Sequence, residues 1–399
     1  MTSTAAVASH TPAAALARHL PGLDGLRGIA ILCVIPHNLN LFGTAAQTAW
    51  DAHLLGSVLD RGWIGVQLFF VLSGFLITGI LLDTRERTRY FTTFFARRVL
   101  RILPLYYVML TGVFVVLPAF NALPSDMPRY SGSEWSYWFF YSNWYGPFHL
   151  GEGSMPHLWS LAVEEQFYLA WPVLMYRCSP RCALRLCLGI SALSVASRVG
   201  LLMQGATTET IYSFLICRMD ALSLGGAAAA ALRVPVLATQ IRDRQQDLLW
   251  IALGVIVVGA VLTRGYMFSG AATLTWGYLT LAVAFALIVA AAACGDSGPQ
   301  PRRGFLRMRW LQEIGRRSYA MYLLHVPLHV IVGPPLAAQF LPKASSGATQ
   351  CLVYVVGGTL VSYIAALLAF WTIETHADRL KRALSRHWTA KAPTLVRPG

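Results

Sequence analysis

Charge is what this sequence has least of. Only 13% of its 399 residues are Asp, Glu, Lys or Arg, about half the share of an ordinary soluble domain. So few ionic groups cannot cover a 43.8 kDa globule, which argues against a soluble enzyme. Intrinsic disorder needs low hydrophobicity and many charges; here 56% of residues are hydrophobic. The seven cysteines include no C-x-x-C pair, and Cys178, Cys182 and Cys187 have no histidine near them. A metal site is not expected from such spacing, and cysteines beside apolar runs behave as small hydrophobes. The first 20 residues are Ala-rich, with neither a basic start nor an apolar h-region. No cleavable signal is evident there, and residues 1–20 read as a disordered tail. What is left is a multi-pass membrane protein.

Apolar runs are what the chain has in quantity, with a mean hydropathy of +0.53. Crossing about 30 Å of hydrocarbon takes roughly 20 mostly apolar residues as helix. Ten segments qualify, near residues 26–44, 62–82, 100–118, 157–176, 184–203, 211–232, 248–263, 272–294, 317–337 and 351–373. Net charge is +14. A basic soluble chain suggests nucleic acid, but here the basic residues sit between apolar runs. With the N-terminus inside, 26 Lys and Arg fall in inside segments and four in outside loops: Arg61, Arg129, Arg264 and Lys343. That asymmetry predicts an all-α membrane protein of about ten transmembrane helices with both termini cytoplasmic. Residues 21–376 form the membrane domain and 377–399 a basic cytoplasmic tail. One outside loop is long, 119–156. Its Trp135, Tyr137, Trp138, Trp144 and Tyr145 read either as an interfacial belt or as a platform for a sugar ring.

Ionisable groups at membrane depth cost about 2.5 kcal/mol or more on insertion scales, so the few present are the first functional candidates. They are His37, Glu164 and Glu165, Arg198, Arg218 and Asp220, His325 and His329. A rise of about 1.5 Å per residue puts His37 and Glu164 at similar depth, where a histidine base and an orienting carboxylate can work together. The glutamates are about 100° apart on a helix, so only one faces a given site. Arg218 and Asp220 are two apart and do not face each other; each needs a partner elsewhere. Arg98 and Arg101 lie one turn apart where the third span begins. They read either as ordinary positive-inside anchors or as a bidentate grip on phosphate. Asp24 either pairs with Arg27 or caps the first helix. Gly62, Gly65, Gly74 and Gly79 read as packing positions.

LDGLRGIAIL with His37 after it, GVQLFFVLSGFLIT, FFARRVLRILPLYY and HLWSLAVEEQFYLAWP occur in the order and spacing of the acyltransferase-3 family. RMDALSLGG and GRRSYAMYLLHVPL are similar to its later motifs, so the resemblance covers about residues 20–375. Two positions depart from the pattern: nine residues separate Arg27 from His37 where ten are usual, and Gln67 stands where an aspartate is frequent. The resemblance implies a plasma-membrane O-acyltransferase. It would move an acyl group, usually acetyl, from cytoplasmic acyl-CoA to a sugar hydroxyl of a cell-envelope glycan or glycosylated metabolite. It implies no permanently bound cofactor, with acetyl-CoA as donor substrate. Arg27, Arg98 and Arg101 are then expected to bind the donor, and His37 with Glu164 to be catalytic. Glu165, Trp159, Asn143 and His325 are expected to touch the acceptor. Expected partners are acyl-CoA, a carbohydrate acceptor and the bilayer, not nucleic acid. The competing reading is a proton-coupled exporter with a His and Glu relay.

Overall fold

The computed structural model describes residues 20–41, 50–121, 134–144, 155–297, 304–340, 347–377 and 379–381. The N-terminal tail, the middle of the long loop with Tyr145, and most of the basic C-terminal segment lie outside the described residues. All regular structure among the described residues is helical. The principal helices are α1 (Pro21–Leu41), α2 (Trp50–Leu59), α3 (Ile64–Thr84), α4 (Tyr90–Thr111), α5 (Leu158–Met175) and α6 (Pro180–Met203). They continue with α7 (Thr208–Ser213), α8 (Leu215–Ala231), α9 (Pro235–Asp243), α10 (Gln245–Leu262), α11 (Tyr278–Ser297), α12 (Arg309–Phe340) and α13 (Gly347–Ala369). Helix occupies every one of the ten apolar segments read from the sequence.

Among the described residues, seven helical stretches are long and apolar enough to cross a membrane: 55–84, 90–119, 180–203, 208–231, 245–262, 273–296 and 348–381. The other three segments are α1, α5 and α12. They carry Arg27 and His37, Glu164 and Glu165, and His325, the polar groups that lower their apolar content. α12 begins well before the expected residue 317. Glu313 pairs with Arg316 at 3.2 Å and with Arg317 at 2.8 Å, one turn apart, which supports helix in a polar layer. α2 was not foreseen, because ten residues are too few to read as a span.

Burial sorts the helices. α3 is the most enclosed, and α10 buries only Ala252 and Gly259 while exposing Leu253, Val257, Val258 and Val261. An apolar exterior around a closely packed interior suits lipid as the solvent. α3 crosses α8 at backbone contact. A Cβ at Gly74 would lie 1.8 Å from the Leu222 carbonyl oxygen, and one at Gly225 would lie 2.0 Å from that of Val71. Gly62 and Gly65 meet α1 in the same way, and Gly79 meets the Arg233 side chain. The packing reading of these glycines therefore stands. α1 packs against both α3 and α12, which places Arg27 and His37 in the middle of the bundle. The 134–144 segment lies on α4: Tyr106 donates to the Tyr137 carbonyl at 2.7 Å, and Tyr107 stacks on Trp138 at 5.8 Å.

A methyl at Gly74 has no room without separating two helices, whereas Gly254 has nothing within 4 Å of a new Cβ. Gly74→Ala is therefore expected to cost about 1–3 kcal/mol or more through overpacking, lowering the thermal midpoint in detergent. Gly254→Ala is expected to leave it unchanged.

Candidate functional site

The site grows from one helical turn of α5. Glu164 is flanked at i−4 by Ser160 and at i+4 by Tyr168, so the three share a face. Tyr168 donates from its hydroxyl to Glu164 Oε2 at 3.1 Å, and Ser73 of α3 donates to Oε1 at 2.6 Å. Both carboxylate oxygens are thereby held. Arg98 lies with its Cζ 4.9 Å from the Tyr168 ring centre, a cation–π distance. Arg27 pairs with Asp24 at 3.3 Å, so Asp24 is its partner.

These groups line one cavity of about 100 Å³. Its walls include Arg27, Arg98 and Arg101, then Ser73, Glu164 and Tyr168, and Ser160 with Tyr322. Arg101 is exposed and Arg98 half-buried, and among the described residues neither makes a hydrogen bond or ion pair. Three guanidiniums around one carboxylate leave an excess of positive charge, the setting for a polyanion. Arg97, the third arginine of the run, is exposed and does not line the cavity. A wider groove of about 700 Å³ beside Arg181 and Arg185 lies open on the surface of α6 and holds none of the expected residues.

Beyond Tyr322 a second polar group follows. The Ser160 and Tyr322 hydroxyls are 2.5 Å apart, and Tyr322 donates to the His157 carbonyl at 2.7 Å. His325 Nε2 lies 2.8 Å from Asn38 Nδ2, and its Nδ1 lies 2.6 Å from the Tyr322 carbonyl oxygen. The His157 and His325 rings are 5.1 Å apart.

The structure does not bring His37 and Glu164 into contact. His37 is buried and does not line the cavity; the Leu59 carbonyl and Asp60 face its ring, and among the described residues its Nδ1 has no hydrogen-bond partner. Ten residues of α-helix, about 15 Å, separate it from Arg27 at the cavity. The equal depth expected from residue counts assumed straight helices normal to the membrane, and packed helices tilt. Of the two glutamates, Glu164 faces the cavity and Glu165 does not; Glu165 Oε1 is buried without a partner. Asn143 is fully buried and bonds Gln166 in both directions, at 2.8 and 3.3 Å, which ties the aromatic segment to α5. Trp159 stands outside the cavity, edge-on to Phe70 at 5.9 Å and 4.5 Å from Tyr212.

Sequence reasoning missed Ser73, Tyr168, Ser160 and Tyr322. Tyr168 and Ser160 were legible as the i±4 neighbours of Glu164. Ser73 sits in a stretch read for its glycines, and Tyr322 precedes His325 by one turn. Among the described residues no cluster of His, Cys, Asp and Glu is arranged to hold a metal.

A helical membrane bundle with an arginine-lined internal cavity is the class these features define. The acyltransferase-3 profile, described as an acyltransferase domain, matches residues 20–369, and the chain belongs to that family. It is 30% identical over 335 residues to the peptidoglycan O-acetyltransferase OatA of Listeria monocytogenes, covering 80% of this chain and 51% of that protein. It is 31% identical over 340 residues to the putative peptidoglycan O-acetyltransferase YrhL of Bacillus subtilis, covering 79% and 50%. The O-acetyltransferase OatA of Staphylococcus aureus is 31% identical over 339 residues, covering 79% and 51%. The chain thus spans about half the length of the curated relatives it matches. No solved structure shows a significant similarity.

Proposed function

We propose that this chain is an O-acyltransferase that carries an acetyl group from acetyl-CoA across the bilayer interior to a hydroxyl of a cell-envelope glycan. The observation that carries the reading is the cavity formed by Arg27, Arg98, Arg101 and Glu164, inside a chain of the acyltransferase-3 family. Coenzyme A is polyanionic, and exposed Arg101 with half-buried Arg98 offers its phosphates two guanidiniums one turn apart. About 100 Å³ is too small for a nucleotide, so the nucleotide stays at the mouth and the extended pantetheine arm carries the thioester through the cavity toward His37. The relatives' names, peptidoglycan O-acetyltransferase, favour acetyl as the group and a glycan as the acceptor.

His37 is the general base of this scheme. It takes the proton of the acceptor hydroxyl as the oxygen attacks the thioester carbonyl, and its unpartnered Nδ1 is the free acceptor that role needs. Asp60, beside the ring, orients His37 and balances imidazolium as it forms. Glu164 belongs to the donor end, where Ser73 and Tyr168 fix it among the arginines. The collapsing tetrahedral intermediate expels CoA thiolate, which takes the proton back from the His37 imidazolium and leaves as CoA thiol. The seam from Ser160 through Tyr322 and His325 to Asn38 joins the two ends.

Radiolabelled acetyl-CoA, purified protein in nanodiscs and envelope glycan test this directly. Base-labile label in the glycan with matching release of CoA is the expected result. His37→Ala should lower kcat by about 10²-fold or more, and Asp60→Asn should lower kcat with little change in the KM for acetyl-CoA. Wild-type turnover by a folded His37→Ala protein would remove the base. Solute flux without CoA release would favour an exporter.

The same reading places the chain in the plasma membrane with ten spans and both termini cytoplasmic. The basic residues between helices support it, as does helix in all ten segments. Cys182 is exposed beside Arg177, Arg181 and Arg185, on the side read as cytoplasmic. An impermeant maleimide should therefore label it only after cells are permeabilised; labelling of intact cells would contradict the orientation.

A further inference from the structure

Arg218 of α8 is fully buried and, among the described residues, makes no ion pair. Its Nη2 donates to Gln67 Oε1 at 2.7 Å, a neutral partner whose own Nε2 donates to the Tyr278 carbonyl at 2.9 Å. Asp220, two residues on, is taken by Arg198 at 2.7 Å and by the Ala221 amide at 2.9 Å. Four rings enclose the guanidinium instead: Tyr278 at 4.2 Å, Tyr212 at 5.1 Å, Phe70 at 5.5 Å and Trp159 at 5.6 Å from Cζ.

Ring faces offset part of the charge, but they offer nothing to N–H groups that lie at the edge. Arg218 Nε and Nη1, the Tyr278 hydroxyl and Trp63 Nε1 are all buried with no hydrogen-bond partner. Trp63 is against Tyr278, ring centres 5.3 Å apart. Guanidinium and indole nitrogens only donate, and buried donors left unmade are costly. What the box lacks is therefore an acceptor, and a negative one.

Its position says what could bring that acceptor. Phe70 is shared between the box and the donor cavity. Trp159 and Tyr212 are the partly exposed members of the box, and Tyr212 sits on the six-residue α7. A paired Trp and Tyr form a platform for a sugar ring, with a guanidinium behind them.

We propose that Arg218 recognises a carboxylate on the acceptor, with Trp159 and Tyr212 holding the ring that bears it, so that the acceptor is an acidic sugar. This rests on the reading of the chain as a glycan O-acyltransferase and names the class of glycan. Gln67 is the specificity-determining partner: being neutral, it leaves the Arg218 charge available to the substrate.

The test uses the full-length protein in nanodiscs with acetyl-CoA and the host's envelope glycan, either native or with its carboxyl groups chemically reduced to alcohols. The readout is the ratio of kcat/KM for the two forms. Wild type should prefer the native glycan by about tenfold or more, the scale of one lost charge-assisted hydrogen bond. Gln67→Asp supplies an internal carboxylate and should bring the ratio near one, through a raised KM for the native form. A merely structural Gln67 would lower both rates together and leave the ratio unmoved, which would overturn the proposal. Equal use of both forms by wild type would also overturn it, and that comparison stands even if Gln67→Asp does not fold. Acetylation of neither form, without CoA release, would sink the functional reading itself and this inference with it.

Discussion

A charge held among hydrocarbon must be matched by a partner or by the molecule it serves, and this constraint organises the bundle. Several ionic side chains of the interior have a visible answer. Arg198 has Asp220 at 2.7 Å, both wholly buried. Arg27 has Asp24, and Glu164 has the hydroxyls of Ser73 and Tyr168. Glu165 keeps one oxygen without a partner; at Arg98 and Arg101, and again at Arg218, the incompletely matched charge is positive. Those two places are where the chain is expected to meet anions: the phosphates of a donor at one and a carboxylate of an acceptor at the other.

Glycines make the arrangement possible. The α3–α8 crossing, closed through Gly74 and Gly225, brings Gln67 and Ser73 of one helix level with groups on α8 and α5. α1, gripped between α3 and α12, carries Arg27 at one end of the site and His37 about 15 Å further along. α3, as apolar as any span, is the most enclosed, while α10 and α13 turn most of their surface outward. The ionic groups of α1 and α5 depend on neighbouring helices to shield them.

The helical segments were legible because apolar runs and the basic residues between them are local features of sequence. Arg27, Arg98 and Arg101 were legible because each lies where an apolar run begins in the sequence and two share a face; α4 itself starts earlier, at Tyr90. Pairing between helices was not. Nothing in the spacing of Arg218 and Asp220 says that one takes Gln67 and the other Arg198, because that depends on which helices touch and at what level. Counting residues from helix ends put His37 beside Glu164; the packed helices put it beside Asp60, which lies in a 3₁₀ turn (Asp60–Trp63) that the apolar pattern had assigned to the edge of a loop. Asn143, expected to face the acceptor, instead braces Gln166, a residue with no pattern to mark it.

The central claim is that the arginine-lined cavity receives the nucleotide-bearing donor. Its most direct measurement is equilibrium binding of acetyl-CoA, compared with acetyl-pantetheine lacking the nucleotide, by purified wild-type and Arg98→Ala/Arg101→Ala protein at low and high salt. The account predicts that wild type binds acetyl-CoA far more tightly than acetyl-pantetheine, that salt weakens the binding, and that the double substitution removes the difference. Equal binding of the two thioesters by wild type, unaffected by salt or by loss of both arginines, would contradict it.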